Sequence, residues 1–217
     1  MKDIAIYGAG GFGREVACLI NVINQSKPEP EWNLVGFFDD NPDLKDKMIS
    51  HFGLCLGGIN ELNAYTREIN LTLPIGNPKV VKSLVEKIQN PHISFPNLIR
   101  PGFQVSDPVS FSIGKGNIIQ SSCSASCDVS IGDFNVFNGA VVLGHDVTIG
   151  SYNTFMPAVR VSGEVEIGMC NFFGVSSIVL QQIKVGAYVR LGAGSVLMTK
   201  PKDGCLYIGN PAKKTEL

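Results

Sequence analysis

The chain has 217 residues, a formal net charge of −1, 44% hydrophobic residues and 17% charged residues. A nearly neutral chain has no electrostatic attraction for nucleic acid or for an anionic membrane surface, so neither partner is expected. No apolar run is long enough to span a bilayer and no secretory leader is recognisable, so we expect no membrane insertion. The six cysteines form no CxxC pair and no zinc-binding spacing, which favours reduced thiols in a cytoplasmic protein without a metal site.

The first 98 residues are predicted to form an α/β domain. Short apolar runs alternate there with segments whose apolar residues recur at helical spacing. This alternation predicts a parallel sheet covered by helices, and ISFPNLI at 93–99 is expected to close the domain. The predicted strands are 3–7, 34–38 and 71–76, and the predicted helices are 14–24, 58–65 and 78–88.

A glycine-rich loop, GAGGFG at 8–13, joins the first predicted strand to the first predicted helix. This is the context of a nucleotide-binding G-x-G-x-x-G turn, although a tight turn without a ligand is an alternative interpretation. The domain has about one mononucleotide-binding half, and the rest of the chain offers no site for hydride transfer. A single nucleotide, with its phosphates at the helix N-terminus, is therefore favoured over NAD.

The second part of the chain has a period of six residues. From Ile113 to Leu197, fifteen successive hexads begin with an apolar residue, which predicts a parallel β-helix. A longer period of 18 residues indicates three hexads per coil and thus five coils of a three-sided prism. The register is expected to extend back through Phe111 and Val105 as fifth residues of their hexads.

Residues 18 apart are expected to stack as columns along the prism. Phenylalanines can fill the core along one edge, and asparagines can form a side-chain ladder. The glycines that follow many hexad starts suit a corner that needs either unusual dihedral angles or close backbone approach. The columns are Phe137, Phe155 and Phe173, and Asn117, Asn135, Asn153 and Asn171.

The stretch LGHDVTIG, 143–150, places His145 beside Asp146 in the middle of these repeats. The other two histidines, His51 and His92, lie in the first domain. Strand alternation makes His145 a candidate inward residue, although its place at a corner weakens that rule. A structural hydrogen bond at the corner is one interpretation. A general base is the other, because an imidazole can accept a proton near neutral pH.

These features together resemble the NeuD/PglD type of bacterial sugar acyltransferases. The resemblance rests on the hexapeptide repeats, the N-terminal GAGGFG and the ending YIGNPAK, and it covers essentially the whole chain. It implies a Rossmann-like nucleotide-sugar-binding domain at 1–98 and a left-handed β-helix acyltransferase domain at 99–217. It also implies a homotrimer with active sites between neighbours, acetyl-CoA as co-substrate and the UDP of a sugar in the first domain.

The resemblance assigns roles to individual residues. His145 would be the general base and Asp146 its partner, which would hold the other ring nitrogen. Family members can carry a second histidine nine residues after the base, where this chain has Thr154. The implied acetyl-CoA-binding residues are Thr154, Gly163, Val175, Gly192, Ala193 and Lys213, and the implied nucleotide-sugar-binding residues are Ala9, Gly10, Gly11, Phe12, Gly13, Asp39, Asp40, Gly76 and Asn77.

Within this set, Gly163 would direct a backbone N–H at the thioester carbonyl. Lys213 would meet the CoA phosphates, with an ordinary solvated lysine as the alternative, and the alternative for Phe12 is that its side chain only packs. The function implied is acetyl transfer from acetyl-CoA to a UDP-linked amino sugar by direct attack, without a metal or a cysteine nucleophile. Two alternatives remain open. One is O-acetylation of sialic acid or a related sugar, and the other is a non-catalytic nucleotide-binding scaffold.

Overall fold

The computed structural model describes residues 1–216, which form a parallel α/β domain followed by a β-solenoid. None of the helices in this part of the chain is long and apolar enough to cross a membrane. The first domain consists of β1 (Lys2–Tyr7), α1 (Gly11–Gln25), β2 (Trp32–Phe38), a 3₁₀ turn (Pro42–Leu44), β3 (Met48–Ile49), β4 (Gly53–Leu54), α2 (Ile59–Asn63), β5 (Ile69–Thr72), α3 (Pro78–Lys87) and β6 (Ile93–Ser94).

The sheet of the first domain has the order β2-β1-β5-β6, and all its pairs are parallel. Successive residues of β1 point to opposite faces, so Ile4 and Ile6 pack with α1 while Ala5 and Tyr7 pack on the side of α3. Because β1, β2 and β5 run parallel to one another, their carboxyl ends meet at one edge of the sheet. That edge is where parallel sheets bind ligands.

Two details of the predicted first domain are wrong. The strand predicted at 71–76 runs instead over Ile69–Thr72; Pro74 follows closely and has no N–H with which to continue a ladder. The segment 93–99 does not belong wholly to this domain, because β6 pairs with β5 whereas the next strand pairs in the solenoid. The short antiparallel pair β3–β4 was not predicted.

The solenoid is built from short strands separated by corners. Its strands are β7 (Leu98–Ile99), β8 (Gln104–Val105), β9 (Ser112–Ile113), β10 (Ile118–Ile119), β11 (Ser124–Ala125), β12 (Ser130–Ile131), β13 (Val136–Phe137), β14 (Val142–Leu143), β15 (Thr148–Ile149), β16 (Thr154–Phe155), β17 (Arg160–Val161), β18 (Glu166–Ile167), β19 (Phe172–Phe173), β20 (Ile178–Val179), β21 (Lys184–Val185), β22 (Arg190–Leu191), β23 (Val196–Leu197), β24 (Leu206–Gly209) and β25 (Ala212–Thr215).

These strands form the three faces of the predicted prism. The first face is the sheet β25-β24-β22-β19-β16-β13-β10-β7, the second is β23-β20-β17-β14-β11-β8, and the third is β21-β18-β15-β12-β9. The register shows one coil more than the five predicted, because Ile99 pairs with Ile119 and Val105 with Ala125. Val105 is therefore a first residue of its hexad, not a fifth. Each of these pairs spans 20 residues rather than 18.

The predicted columns are confirmed inside the prism. The rings of Phe137, Phe155 and Phe173 stack with centroids 4.8 and 4.7 Å apart. In the asparagine column, the Oδ1 atoms of Asn117, Asn135 and Asn153 each accept hydrogen bonds from the backbone N–H and the Nδ2 of the asparagine one coil later. The Oδ1 of Asn171 accepts from the backbone N–H of Val189. All four asparagine residues are completely buried, so the ladder satisfies polar groups that water cannot reach.

Close approach explains the corner glycines. A Cβ on Gly150 would lie 2.6 Å from the carbonyl oxygen of Gly168 on the next coil, which is closer than carbon and oxygen can pack. The left-handed conformation falls instead on the fourth residue of each hexad from Ser122 to Tyr188, with φ of 57° at both Asp146 and Glu164. These positive φ values turn the chain at every corner.

The first domain docks on the first face of the solenoid. The buried residues of α1 share one apolar cluster with Leu98, Ile118 and Val136, whose side chains point outward from the prism. A second contact joins Phe95 to the stacked rings of Phe134 and Tyr152 at the corner between the third and first faces. This packing places the carboxyl edge of the α/β sheet beside the solenoid.

Candidate functional site

The His145–Asp146 pair lies at the corner between the second and third faces, after β14 and before β15. Both side chains are 55% exposed, and His145 Nδ1 lies 2.7 Å from Asp146 Oδ2. His145 thus points outward; the simple alternation that would turn it inward is interrupted by the left-handed turn at Asp146. An exposed position leaves the ring accessible to a substrate.

The surroundings of His145 favour its protonated form. The hydrogen bond to Asp146 raises the pKa of His145 above its ordinary value, and the negative charges of Asp146 and Glu164 raise it further. A carboxylate on Nδ1 also selects the tautomer in which the neutral ring carries its proton on that nitrogen. Nε2 then has a free lone pair, as a general base requires.

Gly163 provides the space that the imidazole occupies. A Cβ at Gly163 would lie 2.5 Å from His145 Nε2 and 2.6 Å from Cε1, so any larger residue would push the ring away. Within residues 1–216 the Gly163 N–H has no hydrogen-bond acceptor. The imidazole of His145 and a backbone N–H without an acceptor are therefore neighbours at this corner.

Three of the residues assigned to the acyl donor meet at a different corner, between the first and second faces. Val175, Gly192 and Ala193 line a cavity of about 240 Å³ together with Met156 and Phe172. The single chain does not bring this cavity and His145 together, because they lie on separate corners of the prism.

The remaining two donor residues differ in their access to that cavity. Lys213 is exposed and pairs with Ile208, whose Cγ1 would be 3.0 Å from a Cβ on Gly192. Lys213 thus belongs to the hairpin beside the cavity. Thr154 is only 2% exposed, so the structure does not present its hydroxyl at the cavity surface.

The glycine loop of the first domain leaves the N-terminus of α1 open. The N-cap of this helix is Gly10, which offers no side-chain hydrogen bond, and a side chain at Gly10 or Gly11 would meet no atom within 4 Å. Gly13 has a different role, because a Cβ there would lie 1.9 Å from the carbonyl oxygen of Gly8. Unpaired N–H groups at a helix N-terminus attract phosphate.

The two acidic residues after β2 hold this loop in place. Asp39 accepts hydrogen bonds from the N–H of Ala9 at 2.8 Å and of Asn41 at 2.9 Å. Asp40 accepts from the Tyr7 hydroxyl and from the Ile59 N–H, and burial together with this carboxylate raises the pKa of Tyr7. The Ala9 N–H is therefore used within the protein.

The other predicted nucleotide-site residues also have identifiable surroundings. Gly76 faces open space, whereas the Asn77 side chain caps α3 by accepting a hydrogen bond from the Lys79 N–H at 3.1 Å. Phe12 is partly buried and packs against the core of the first domain. No group of three or more His, Cys, Asp or Glu side chains that could hold a metal occurs among residues 1–216.

Three cavities adjoin one another from the first domain to the solenoid. The first, about 440 Å³, lies at the ends of β1 and β2 and is lined by Asp39 and Asp40. The second, about 490 Å³, lies between the domains beside Tyr188, and the third is the cavity of about 240 Å³ described above. Lys79 lines the first and second cavities, and Arg190 lines the second and third.

Comparison with known proteins begins with the first domain. Residues 3–88 match the family model described as the PglD N-terminal domain. None of the curated protein sequences compared with the chain matches it.

Solved structures resemble the first domain and the solenoid together. The acetyltransferase domain of PglB from Neisseria gonorrhoeae FA1090, in complex with acetyl coenzyme A, is 27% identical, with 99% of each chain covered and a TM-score of 0.86. PerB from Caulobacter crescentus, in complex with CoA and GDP-perosamine, is 25% identical, with 100% of this chain and 98% of that chain covered and a TM-score of 0.82. WeeI from Acinetobacter baumannii AYE, at 22% identity, 99% and 100% coverage and a TM-score of 0.85, shares the fold.

The sequence did not identify the residues that connect the cavities. Lys79 comes from the first domain, whereas Tyr188 and Arg190 come from the solenoid. Lys79 Nζ lies 5.6 Å from the centre of the Tyr188 ring, so the two domains are in contact at this point. No motif marks these residues, because they meet only through the docking of α3 on the solenoid.

Proposed function

We propose that this chain is an acetyltransferase that transfers the acetyl group of acetyl-CoA to a UDP-linked amino sugar. The observation that carries the proposal is the exposed His145–Asp146 pair, whose ring lies over Gly163. Further support comes from the solved structures with the same two-domain fold, since the PglB domain was solved with acetyl coenzyme A and PerB with CoA and GDP-perosamine.

In the proposed reaction the acceptor amine attacks the thioester carbonyl directly. His145 Nε2 removes the proton of the attacking amine, and Asp146 stabilises the imidazolium that forms. The Gly163 N–H donates a hydrogen bond to the oxyanion of the tetrahedral intermediate. When the intermediate collapses, the C–S bond breaks and the CoA sulfur leaves as the thiol after receiving the proton from His145.

A cysteine nucleophile does not suit this site. Cys123 is 3% exposed, and its burial raises the pKa of its thiol. Because the thiolate is the reactive form, a buried thiol with a raised pKa is a poor nucleophile. This favours direct transfer over a covalent acyl-enzyme.

The two substrates have separate binding surfaces in the proposal. The acyl donor occupies the cavity at Val175, Gly192 and Ala193, with Lys213 near its phosphates. The nucleotide places its phosphates at the open N-terminus of α1, between Gly10 and Gly13. Asp39 and Asp40 face its ribose or base, and Gly76 and Asn77 border the path to the second cavity. The buried Thr154 hydroxyl makes the donor site differ from one that carries a histidine at this position.

A homotrimer would complete the site. The base and the donor cavity lie on different corners of one prism, so a neighbouring prism must bring its His145 to the cavity. The outward residues Val142 and Ile178 of the second face are apolar and only partly buried in the single chain. Apolar outer faces of this kind are covered in closed oligomers.

Incubation with acetyl-CoA and a panel of UDP-amino sugars tests the activity, with free-thiol release and product mass as readouts. We expect thiol release only with an acceptor, and mass spectrometry of the isolated sugar will locate the acetyl group on nitrogen or oxygen. Transfer to a hydroxyl of sialic acid would support the O-acetyltransferase alternative. Tight UDP binding with no thiol release from any acceptor would support the scaffold alternative.

The same assay tests the base. His145→Ala should lower turnover by about 10²–10⁴-fold, the range for a lost acid–base group. The matched control is His92→Ala, because His92 is also exposed and lies 2.7 Å from a carboxylate, that of Glu68. We expect this control to keep its activity and both variants to keep the wild-type melting temperature. An active His145→Ala enzyme with a lowered melting temperature would assign the histidine a structural role.

The pH dependence gives a second test. A base works in its neutral form, so kcat/KM should rise with pH through the pKa of His145, which Asp146 raises. Asp146→Asn removes the negative charge, so the rising limb should move to lower pH while the maximum rate falls. An additional limb from the acceptor amine should remain where it is in both enzymes. An unchanged limb in Asp146→Asn would contradict the role of this pair.

A further inference from the structure

The coil that follows His145 carries a second carboxylate at the same corner. Glu164 lies 18 residues after Asp146 and donates its backbone N–H to the His145 carbonyl oxygen at 2.8 Å. Gln182, a further 18 residues along, donates from Nε2 to Glu164 Oε2 at 3.1 Å. Asp146, Glu164 and Gln182 therefore form a column, and the last of them orients the carboxylate of the second.

The imidazole leans toward the coil of Glu164. The space over Gly163 contains Nε2, Cε1 and Cδ2 of the ring, at 2.5, 2.6 and 3.0 Å from the position of a Cβ. Gly163 immediately precedes Glu164, and adjacent strands lie only about 4.8 Å apart. The ring therefore lies between Asp146 on its own coil and the backbone of Gly163 and Glu164 on the next.

The charges around the ring are mostly negative. Asp128 occupies the same corner one coil before Asp146. Asp146 and Glu164 both line an open groove on the third face. Two lysines also line this groove: Lys184, which is paired with Glu166 at 2.7 Å, and Lys200. Glu164 has no salt-bridge partner within residues 1–216, so its charge is free to act on His145.

We propose that Glu164, oriented by Gln182, is a positioning residue that stabilises the protonated form of His145 from the neighbouring coil. The charge of Glu164 contributes, after that of Asp146, to the raised pKa of His145. For catalysis, which rests on the proposed function, this carboxylate would stabilise the imidazolium that forms when the acceptor loses its proton. Asp146 would fix the tautomer, and Glu164 would add charge without touching the ring nitrogens.

Glu164→Gln tests the proposal because it keeps the shape and a hydrogen-bonding partner for Gln182 while removing the charge. The readout is the titration of the His145 ring followed by NMR; the chain has three histidines, and His145→Ala assigns the signal. We expect the midpoint to fall by a few tenths of a pH unit at low salt. The fall should shrink in about 1 M salt, which screens exposed charges. In Glu164→Asp, which keeps the negative charge, the midpoint of His145 should fall less than in Glu164→Gln.

Glu166→Gln is the matched control, since Glu166 is an exposed carboxylate on the same coil that pairs with Lys184. In Glu166→Gln, the titration midpoint of the His145 ring should stay close to that of the wild type. An unchanged midpoint in Glu164→Gln, or an equal fall in Glu166→Gln, would overturn the proposal. The rising limb of kcat/KM should move with the NMR midpoint; if it does not, the catalytic part of the proposal is wrong. If the midpoint falls in a protein that acetylates no sugar, the electrostatic link stands and the proposed function fails.

Discussion

Replacing Asn153 by alanine tests the asparagine ladder that holds successive coils in register. Asn153 Nδ2 donates to Asn135 Oδ1 at 3.0 Å and to the Gly168 carbonyl at 2.9 Å. Its Oδ1 accepts from the backbone N–H and the Nδ2 of Asn171, both at 2.9 Å. A fifth and longer hydrogen bond joins Asn153 Nδ2 to the Ser151 carbonyl at 3.4 Å. Asn153→Ala removes all five hydrogen bonds at a site that is completely buried.

The size of the expected loss of stability follows from the polar groups that lose a hydrogen-bond partner in Asn153→Ala. The Asn171 N–H and the Gly168 carbonyl lose their partners, and the Asn135 carboxamide loses one contact. Each buried polar group left without a partner costs about 1–3 kcal/mol. We therefore expect Asn153→Ala to lower the free energy of unfolding by about 3–6 kcal/mol, a large part of the ~5–15 kcal/mol that stabilises a typical domain.

Urea unfolding followed by circular dichroism measures this loss as a shift of the midpoint. The control is Asn138→Ala, because Asn138 is only partly buried and its Nδ2 lies 3.9 Å from the Met156 sulfur. A partly buried side chain with such a weak contact should cost less than about 1 kcal/mol. If Asn153→Ala unfolds within about 1 kcal/mol of the wild type, the ladder does not stabilise the solenoid and the reasoning is refuted.

Three further predictions concern the site and the assembly. Gly163→Ala should displace the His145 ring and lower turnover while the melting temperature stays near the wild-type value; full turnover in this variant would show that the ring does not need the space over Gly163. Light scattering should give three times the 23.3 kDa mass of the chain, whereas a monomer at micromolar concentration would contradict the trimer. Isothermal titration should detect UDP and no comparable binding of NAD, and Gly10→Val, which places a side chain in open space at the helix N-terminus, should weaken UDP binding. Tighter binding of NAD than of UDP would contradict the proposed nucleotide.

The sequence alone determined the features that repeat. Apolar residues every six positions and asparagines every 18 are visible in one dimension, because each coil meets its neighbours in the same register. The Phe137 stack and the buried Asn153 ladder were predicted from this period. The glycine loop before α1 was likewise predictable, since a strand, a turn and a helix follow one another directly in the chain.

The sequence pattern did not predict the first coil of the solenoid or the antiparallel pair β3–β4 of the first domain. Two additional residues between Val105 and Ile113 interrupt the period, so the preceding coil loses its phase in the sequence although its strands pair normally. The pair β3–β4 consists of two-residue strands, which are too short to show an alternating pattern. Local sequence carries no signal for such elements.

Only the tertiary structure showed that the candidate site residues lie on separate corners of the prism and at the contact between the two domains. The sequence placed His145 and Gly192 in one repeat domain, but the left-handed turns at the corners put them on different edges of the prism. Lys79 and Arg190 lie far apart in the chain, and they border one cavity because the first domain docks on the first face through α1 and α3. Periodicity specifies which residues stack along the axis. The direction of a corner side chain and the contacts between domains depend on backbone turns and packing that no repeat encodes.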